Sequence, residues 1–411
     1  MTHEASRRAE SLRACLLIHT YLPTHSPPQR RWSTFVSELR AAGWDVDVVT
    51  PRAGDDGGAR RGPAGERVVR TWRVARIGGR NGRFLSAAVH AVLAIPAAAR
   101  LPRPDVVVAT VPALPMVVPA WVLSRLWRRP LVLEMRDAWP DLGREAGVSV
   151  GPLGLAMEWL VAGVQRRADH VVTVTAGFAR QLAQRGLRAV THISNGIDTR
   201  ALPPIARGPR EPGEPLHVLY LGNHGESQGL ERLIRAAALI RDSHDAAVHV
   251  RLVGEGTRKD ELIALNIRLG EPVQFLDEVG PEEAREHYAW ADTCLIMLRP
   301  DWPSFAWTVP SKTYELLALD LHVTPVVEGE AAGILRDAVG AEPVAAEPEA
   351  IAAHLVALAA DPRSTETDGH GPRWASTHAD LRSMARRMDL LLTSVAEARR
   401  TASALCRPTH A

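Results

Sequence analysis

The chain has 411 residues, 46% hydrophobic and 23% charged. That is enough for two buried cores at roughly 100 to 200 residues per domain, and it excludes disordered, collagenous and mini-protein classes. Its net charge of +2 conceals a division, since residues 1–200 carry 28 Arg against 16 acids and residues 201–411 carry 21 Lys plus Arg against 31.

A basic first half suits phosphate, anionic lipid or nucleic acid, or the acidic second half itself. The three cysteines, Cys15, Cys294 and Cys406, form no C-x-x-C pair, which excludes a disulfide framework and fits a reducing, cytoplasmic setting. Residues 1–12 are polar, and the apolar runs 106–111 and 117–123 are too short to cross roughly 30 Å of hydrocarbon, so neither signal peptide nor membrane span is expected.

Short β-branched runs alternate with amphipathic stretches, the pattern of parallel sheets covered by helices on both faces. In the first half, strands are expected at 14–19, 45–50, 105–110, 130–135, 170–174 and 189–193, with the first helix over 32–42 and a loose loop at 55–65. The proline-rich stretch 201–215 reads as a linker. Beyond it strands are expected at 216–221, 248–253, 273–276, 293–298 and 322–327. Helices are expected at 230–241, 258–268, 281–290, 311–319 and 330–338, with a tail helix over 374–403 after a Gly/Pro break at 369–372. In doubly wound folds ligands bind at the carboxyl ends of strands, which directs attention to the loops there.

After the first strand of the second half comes Gly222-Asn223-His224-Gly225-Glu226-Ser227-Gln228-Gly229. Its glycines let backbone approach a ligand, and the next helix offers free N–H groups to phosphate. Gly254-Glu255-Gly256 repeats the arrangement one strand later. Either turn also reads as an ordinary tight turn.

Pro310-Ser311-Lys312 is more informative, because lysine occurs only at Lys259 and Lys312. Ser311 is a candidate N-cap, Lys312 adds a point charge for an anion, and Glu315 suits a ribose diol or closes a capping box. In the first half, Arg136 and Asp137 follow a buried strand and suit anion binding and acid/base work, or pair with one another. Arg30 and Arg31 are candidate contacts for an anionic acceptor, or a solvated charge pair at the helix entrance. No H-E-x-x-H, P-loop or G-x-S-x-G appears, so no metal site and no cofactor is expected; basic residues do not interleave with aromatics, which argues against nucleic acid. Arg125, Arg128 and Arg129 beside Trp121 and Trp127 suit an anionic lipid surface, or a helix buried on the sheet.

In their order these pieces resemble the retaining glycosyltransferases of family 4, over roughly residues 13–360. They are Leu39-Arg40-Ala41-Ala42-Gly43-Trp44, Arg136-Asp137-Ala138-Trp139-Pro140, Ser194-Asn195-Gly196-Ile197-Asp198, the Gly222 and Gly254 loops, and Pro310-Ser311-Lys312 with Glu315. Within the family the chain looks most similar to the bacterial amino-sugar transferases of surface polysaccharide synthesis.

The resemblance implies an α/β fold of two doubly wound Rossmann-like domains facing across a cleft, called GT-B. It implies an acceptor-binding domain at 1–196, a nucleotide-sugar-binding domain at 197–372 and a C-terminal helix at 373–411 crossing back. The donor would be a nucleotide diphosphate sugar, UDP-linked and amino or deoxy, held by Gly222, Asn223, Gly225, Gln228, Gly254, Ser311, Lys312, Glu315 and Glu330. Asp137 and Lys312 would be catalytic. Arg30 and Arg136 would meet a glycan, lipid-linked or small-molecule acceptor in the cytoplasm, with peripheral membrane contact through the basic domain, no metal and no cofactor.

The chain departs from the family at Asn223 and Gln228, where many relatives have Arg and Lys. It departs again at Trp307, eight residues before Glu315 where a glutamate is usual, at Asp320 in place of a glycine, and at Ser26-Pro27-Pro28. A nucleotide-sugar 2-epimerase, a pyridoxal-dependent phosphorylase using Lys259 or Lys312, and a non-catalytic partner subunit stay open as alternatives.

Overall fold

A computed structural model describes residues 11–22, 27–52, 60–72, 79–111, 116–145, 147, 152–243 and 247–405. The chain divides into two compact units, residues 1–195 with 381–411, and residues 196–380.

In the first unit the order is β1 (Arg13–Leu17), α1 (Pro27–Ala41), β2 (Asp45–Pro51), β3 (Arg67–Thr71), α2 (Gly79–Ala99), β4 (Val106–Val111) and α3 (Val117–Trp127). It continues with β5 (Leu131–Met135), α4 (Asp141–Glu145), α5 (Pro152–Arg167), β6 (His170–Thr173), α6 (Ala176–Gln184) and β7 (Val190–His192). The second unit begins with β8 (Leu216–Leu221), α7 (Glu231–Ser243), β9 (Val248–Val253), α8 (Lys259–Arg268), β10 (Val273–Leu276) and α9 (Pro281–Trp290). Then come β11 (Thr293–Met297), α10 (Lys312–Ala318), β12 (Val323–Val326), α11 (Gly329–Val339), α12 (Pro348–Ala360) and α13 (His370–His378). The last helix, α14 (Leu381–Leu405), belongs to the first unit.

All strands run parallel, in the orders β3-β2-β1-β4-β5-β6-β7 and β10-β9-β8-β11-β12. The order reverses beside β1 and beside β8, the switch points of doubly wound sheets. Central strands are apolar throughout because helices cover both faces: every residue of β4 and of β11 is buried. In the first unit Trp32, Phe35, Val36 and Leu39 of α1 pack with Leu381, Met384, Ala385, Met388 and Leu392 of α14 over β1 and β2. The three- and four-residue spacing of each set makes one helical stripe. Trp44 Nε1 donates to Asp389 Oδ1 at 2.7 Å and fixes α14 in register.

Several elements differ from expectation. β3 escapes the sequence pattern because it is an edge strand of five residues, Arg-Val-Val-Arg-Thr, with charge at its open side. α12 is rich in alanine and apolar nearly all round, so it lacks a helical stripe. The expected tail helix is two helices, broken at Ala379 and Asp380, where Asp380 bridges Ile197. The Gly/Pro pair that suggested a break instead opens α13: Gly369 adopts φ 76, and Pro372 sits in the first turn, where its missing N–H costs nothing.

The proline-rich stretch is not a free linker. Ile205 N–H donates to Leu319 O at 2.9 Å, Arg207 pairs with Asp292 at 2.6 Å, and Arg210 donates to Leu358 O at 2.8 Å, all within the second unit. Of the loop at 55–65, residues 55–59 lie outside the described residues, and Arg61 bridges Arg67 antiparallel. Among the described residues no helix is long and apolar enough to cross a membrane.

Candidate functional site

In the second unit the loops after β8 and β9 are zipped backbone to backbone. Gly222 N–H donates to Val253 O at 2.8 Å, His224 N–H to Glu255 O at 2.8 Å, and Arg258 N–H to His224 O at 2.9 Å. Such close approach requires glycine. Gly254 has φ 142, and a Cβ there would overlap the Gly222 carbonyl; a Cβ at Gly256 would overlap the His224 backbone. Gly254 and Gly256 thus serve chain packing, which in turn sets the shape of the Gly222 loop. The loop closes through Gln228 Oε1, which accepts from Gly225 N–H at 3.2 Å and Asn223 Nδ2 at 3.4 Å, and Gly229 turns into α7 at φ 64. Lys259 is occupied internally, with Glu255 and Asp277 both at 2.6 Å.

Lys312 opens α10, directly below this loop. A Cβ at Gly222, whose φ is 152, would stand 2.6 Å from Lys312 Nζ. The Nζ lies 4.7 Å above the centre of the Tyr220 ring, and Tyr220 Oη is turned away to donate to Asn223 O at 3.0 Å. Lys312 Nζ is buried and has no hydrogen-bond partner. Burial pushes its pKa from the ordinary 10.5 down to about 8, against the pull of Glu315. The capping box expected at Ser311 and Glu315 does not form: the Ser311 side chain makes no cap hydrogen bond, and Glu315, in the fourth helical position, is one residue too far along. Glu315 is therefore not committed to its own helix end.

Gly329 and Glu330 open α11. Gly329 has φ 63, and a Cβ there would overlap the Ala306 backbone, so the turn at Pro303–Trp307 is pressed against the start of α11. That turn ends in Trp307, whose indole N–H is buried without a partner.

In the first unit Glu134, fully buried at the end of β5, accepts from Arg31 Nε at 2.8 Å and Trp32 Nε1 at 2.7 Å. Burial favours its neutral form, but Arg31, Arg136 and these hydrogen bonds outweigh burial and hold the carboxyl below its usual range. Arg31 also donates to Ile193 O at 2.9 Å and to Ser194 O. It is thus a buried tie between α1, β5 and the end of β7, not the acceptor contact expected of it. Arg30 is exposed. The tie fixes the strand end bearing Arg136 and Asp137. Arg136 keeps Nε and Nη1 buried with no partner. Burial raises the pKa of Asp137, partly offset by Arg136.

Of the two tryptophans beside Arg125, Arg128 and Arg129, Trp127 is 7% exposed and belongs to the core, as the alternative of a helix buried on the sheet expects, and Trp121 is half-buried. Leu126 on α3 and Leu155, Trp159 and Leu160 on α5 are exposed instead. Among the described residues no group of three or more His, Cys, Asp or Glu could hold a metal ion.

Residues 28–196 match the glycosyl transferase 4-like domain and residues 215–361 the glycosyl transferases group 1. The chain belongs to the GT-B glycosyltransferases. Its fold is that of sucrose-phosphate synthase from Thermosynechococcus elongatus, with a TM-score of 0.73 at 17% identity over 94% of this chain and all of that one. HepE from Anabaena, in complex with UDP-glucose, gives 0.68 at 17% identity over 93% of this chain and all of that one. Among curated proteins, glycogen synthase of Mycobacterium tuberculosis is 29% identical over 148 residues, 35% of this chain. The match spans 34% of the length of that relative.

One residue of this GT-B chain, Arg232, carried no expectation from the sequence, and a second, Trp307, carried a different one. Arg232 has Nη1 buried without a partner, 2.9 Å from where a Gly229 Cβ would stand. Its signal was a cation in the first turn of a helix, where the dipole disfavours one. Trp307 was noted for the glutamate it replaces, whereas its own N–H is the feature the structure adds.

Proposed function

We propose that this protein moves a sugar from a nucleotide diphosphate donor to an acceptor, with the diphosphate gripped by Lys312 beneath the Gly222 loop. The observation that carries this reading is the buried Lys312 ammonium without a hydrogen-bond partner. Such a cation is costly in an apolar setting and is relieved by an anion. Gly222 keeps the space above it clear of a side chain. Asn223, Gln228 and Arg232 supply further side-chain donors along the loop, whose shape the Gly225–Gln228 bond holds, and Glu315 accepts from ribose hydroxyls.

The complex of HepE with UDP-glucose supports a UDP-linked donor. Where relatives offer a carboxylate acceptor, Trp307 offers an N–H donor, which favours a sugar bearing an acceptor group such as the acetamido carbonyl of an amino sugar. Glu330 lies at the start of α11 on the sugar side of this reading.

In the transfer, the bond from C1 to the diphosphate oxygen breaks and its electron pair leaves with the phosphate. Lys312 meets that growing charge, the form of catalysis that a positioned cation in a dry site supplies best. The acceptor hydroxyl oxygen forms the new bond to C1 on the same face, and its proton passes to the departing phosphate, so configuration is retained. Asp137, its pKa raised by burial, orients the acceptor hydroxyl, with Arg136 and Arg30 contacting an anionic acceptor. The first unit is accordingly the acceptor side and the second the donor side. For a lipid-linked acceptor at the inner face of the membrane, Leu126, Leu155 and Trp159, on helices that also carry Arg125, Arg166 and Arg167, make the contact.

The test is nucleotide release from UDP-sugars, with and without glycan or lipid-linked acceptors. Release should depend on acceptor and fall roughly ten- to a hundredfold in Lys312→Ala, the worth of one charge-assisted bond. An epimer formed from donor alone, or wild-type turnover in Lys312→Ala, would refute the assignment.

A further inference from the structure

The first unit has a second polar concavity, away from the loops that follow its strands. A cavity of about 720 Å³ opens at the β3 edge of the sheet, mostly at the amino ends of β1, β2 and β3. Seven arginines line it against two aspartates.

Those two carboxylates are shared. Asp45 takes Arg13 at 2.7 Å and Arg40 at 2.9 Å, while Asp47 takes Arg13 at 3.1 Å and Arg67 at 3.5 Å. Arg13, Arg40 and Arg67 are thereby held in place, and Arg40 still has a buried Nε without a partner. Arg70 also lines the cavity and donates to Leu22 O. Arg61 reaches only Gly65 O, at 3.4 Å, and neither it nor the exposed Arg52 and Arg60 has an acidic partner among the described residues. Asp55 and Asp56, between Arg52 and Arg60, lie outside the described residues; counting both, and the buried Glu66 next to Arg67, still leaves an excess of two arginines over acids at this edge.

Like charges gathered round one concavity raise its potential and draw in a counter-ion. Guanidinium forks match phosphate oxygens in pairs, whereas lysine, absent here, is a point charge. Among the described residues no large exposed apolar side chain lines the cavity; the exposed Trp72, just after β3, stands alone and is not the cluster of anchors that a bilayer would use.

We infer that this arginine-lined cavity binds a soluble anion carrying two or more phosphates, at a site separate from both Lys312 and the Arg136–Asp137 loop. Arg136 and Asp137 follow the carboxyl end of β5, whereas most of the cavity lies at the other ends of the strands, so the ligand is an effector or tether and not the group that receives sugar. The inference does not depend on the transfer reaction proposed above.

Isothermal titration of the full chain with inorganic tripolyphosphate tests it, using Lys312→Ala as the parent so that the nucleotide site does not contribute. Saturable binding with one ion per chain is expected, weakened at least tenfold when Arg52→Ala, Arg60→Ala and Arg61→Ala are combined on that parent. The exposed single substitution Arg60→Glu should act in the same direction. In the chain with Lys312 intact, the triple substitution should leave UDP affinity unchanged. Vesicles of phosphatidylglycerol should not displace the tripolyphosphate. Absence of saturable binding, undiminished affinity in the triple variant, or displacement by the vesicles would each overturn the inference, the last by moving the site to a lipid headgroup.

Discussion

Lys312 combines two properties: its tip is buried, and it has no hydrogen-bond partner, with only the Tyr220 ring and the charge of Glu315 to offset the burial. With its pKa near 8 instead of 10.5, the charged form destabilises the folded state by roughly 3 kcal/mol below pH 8. The sign follows from the depressed folded value. Between pH 8 and 10.5 the unfolded chain binds more protons, so stability rises with pH and the cost fades. Lys312→Met, which keeps the length and removes the charge, should therefore raise unfolding free energy by about 1–3 kcal/mol at pH 7 while weakening donor binding. Urea unfolding of both proteins at pH 7 and 9.5 checks this, the difference shrinking at the higher pH. Gly222→Ala should also weaken the donor, because its Cβ strains the backbone and displaces Nζ. The sequence made Lys312 visible as one of two lysines in an arginine-rich chain. It could not show that Lys259 is neutralised by Glu255 and Asp277 while Lys312 is not, since Asp277 comes from another strand end.

Elements were legible where one face is apolar and the other polar, or where a strand is buried on both sides. They were not legible at a sheet edge, as with β3, or where alanine removes the contrast between faces, as with α12. Asp320 shows how a departure in sequence becomes intelligible in structure. It stands where the family resemblance leads one to expect glycine, and it adopts φ 56 just after α10, a conformation aspartate tolerates at a cost and glycine adopts freely. Asp320→Gly should accordingly be neutral or stabilising by up to about 1 kcal/mol in thermal unfolding, since the Thr367 bond is to the Asp320 backbone carbonyl and survives. Gly254→Ala should do the opposite and cost about 2 kcal/mol or more, because the atom it would strike is backbone and cannot yield. Loss of the zipped loops would show as weaker nucleotide binding alongside the lower stability.

At the scale of the molecule, the division into a basic half and an acidic half was plain in the sequence, but its meaning was not. The structure resolves the basic half into distinct uses: Arg31 ties helix to sheet, Arg136 stands at a strand end with unpartnered groups, and seven arginines ring a cavity at the sheet edge. If Lys312 supplies the charge that meets the diphosphate, turnover should be unchanged in excess EDTA, which a steady-state assay with and without chelator decides. Nucleotide binding at Lys312 underlies each of these expectations, and calorimetric titration with UDP-glucose from pH 6.5 to 9.5 examines it most directly. Affinity should hold below about pH 8 and fall by up to tenfold per pH unit above it, with weak and pH-independent binding in Lys312→Met. Equal affinity in the two proteins across that range would contradict it.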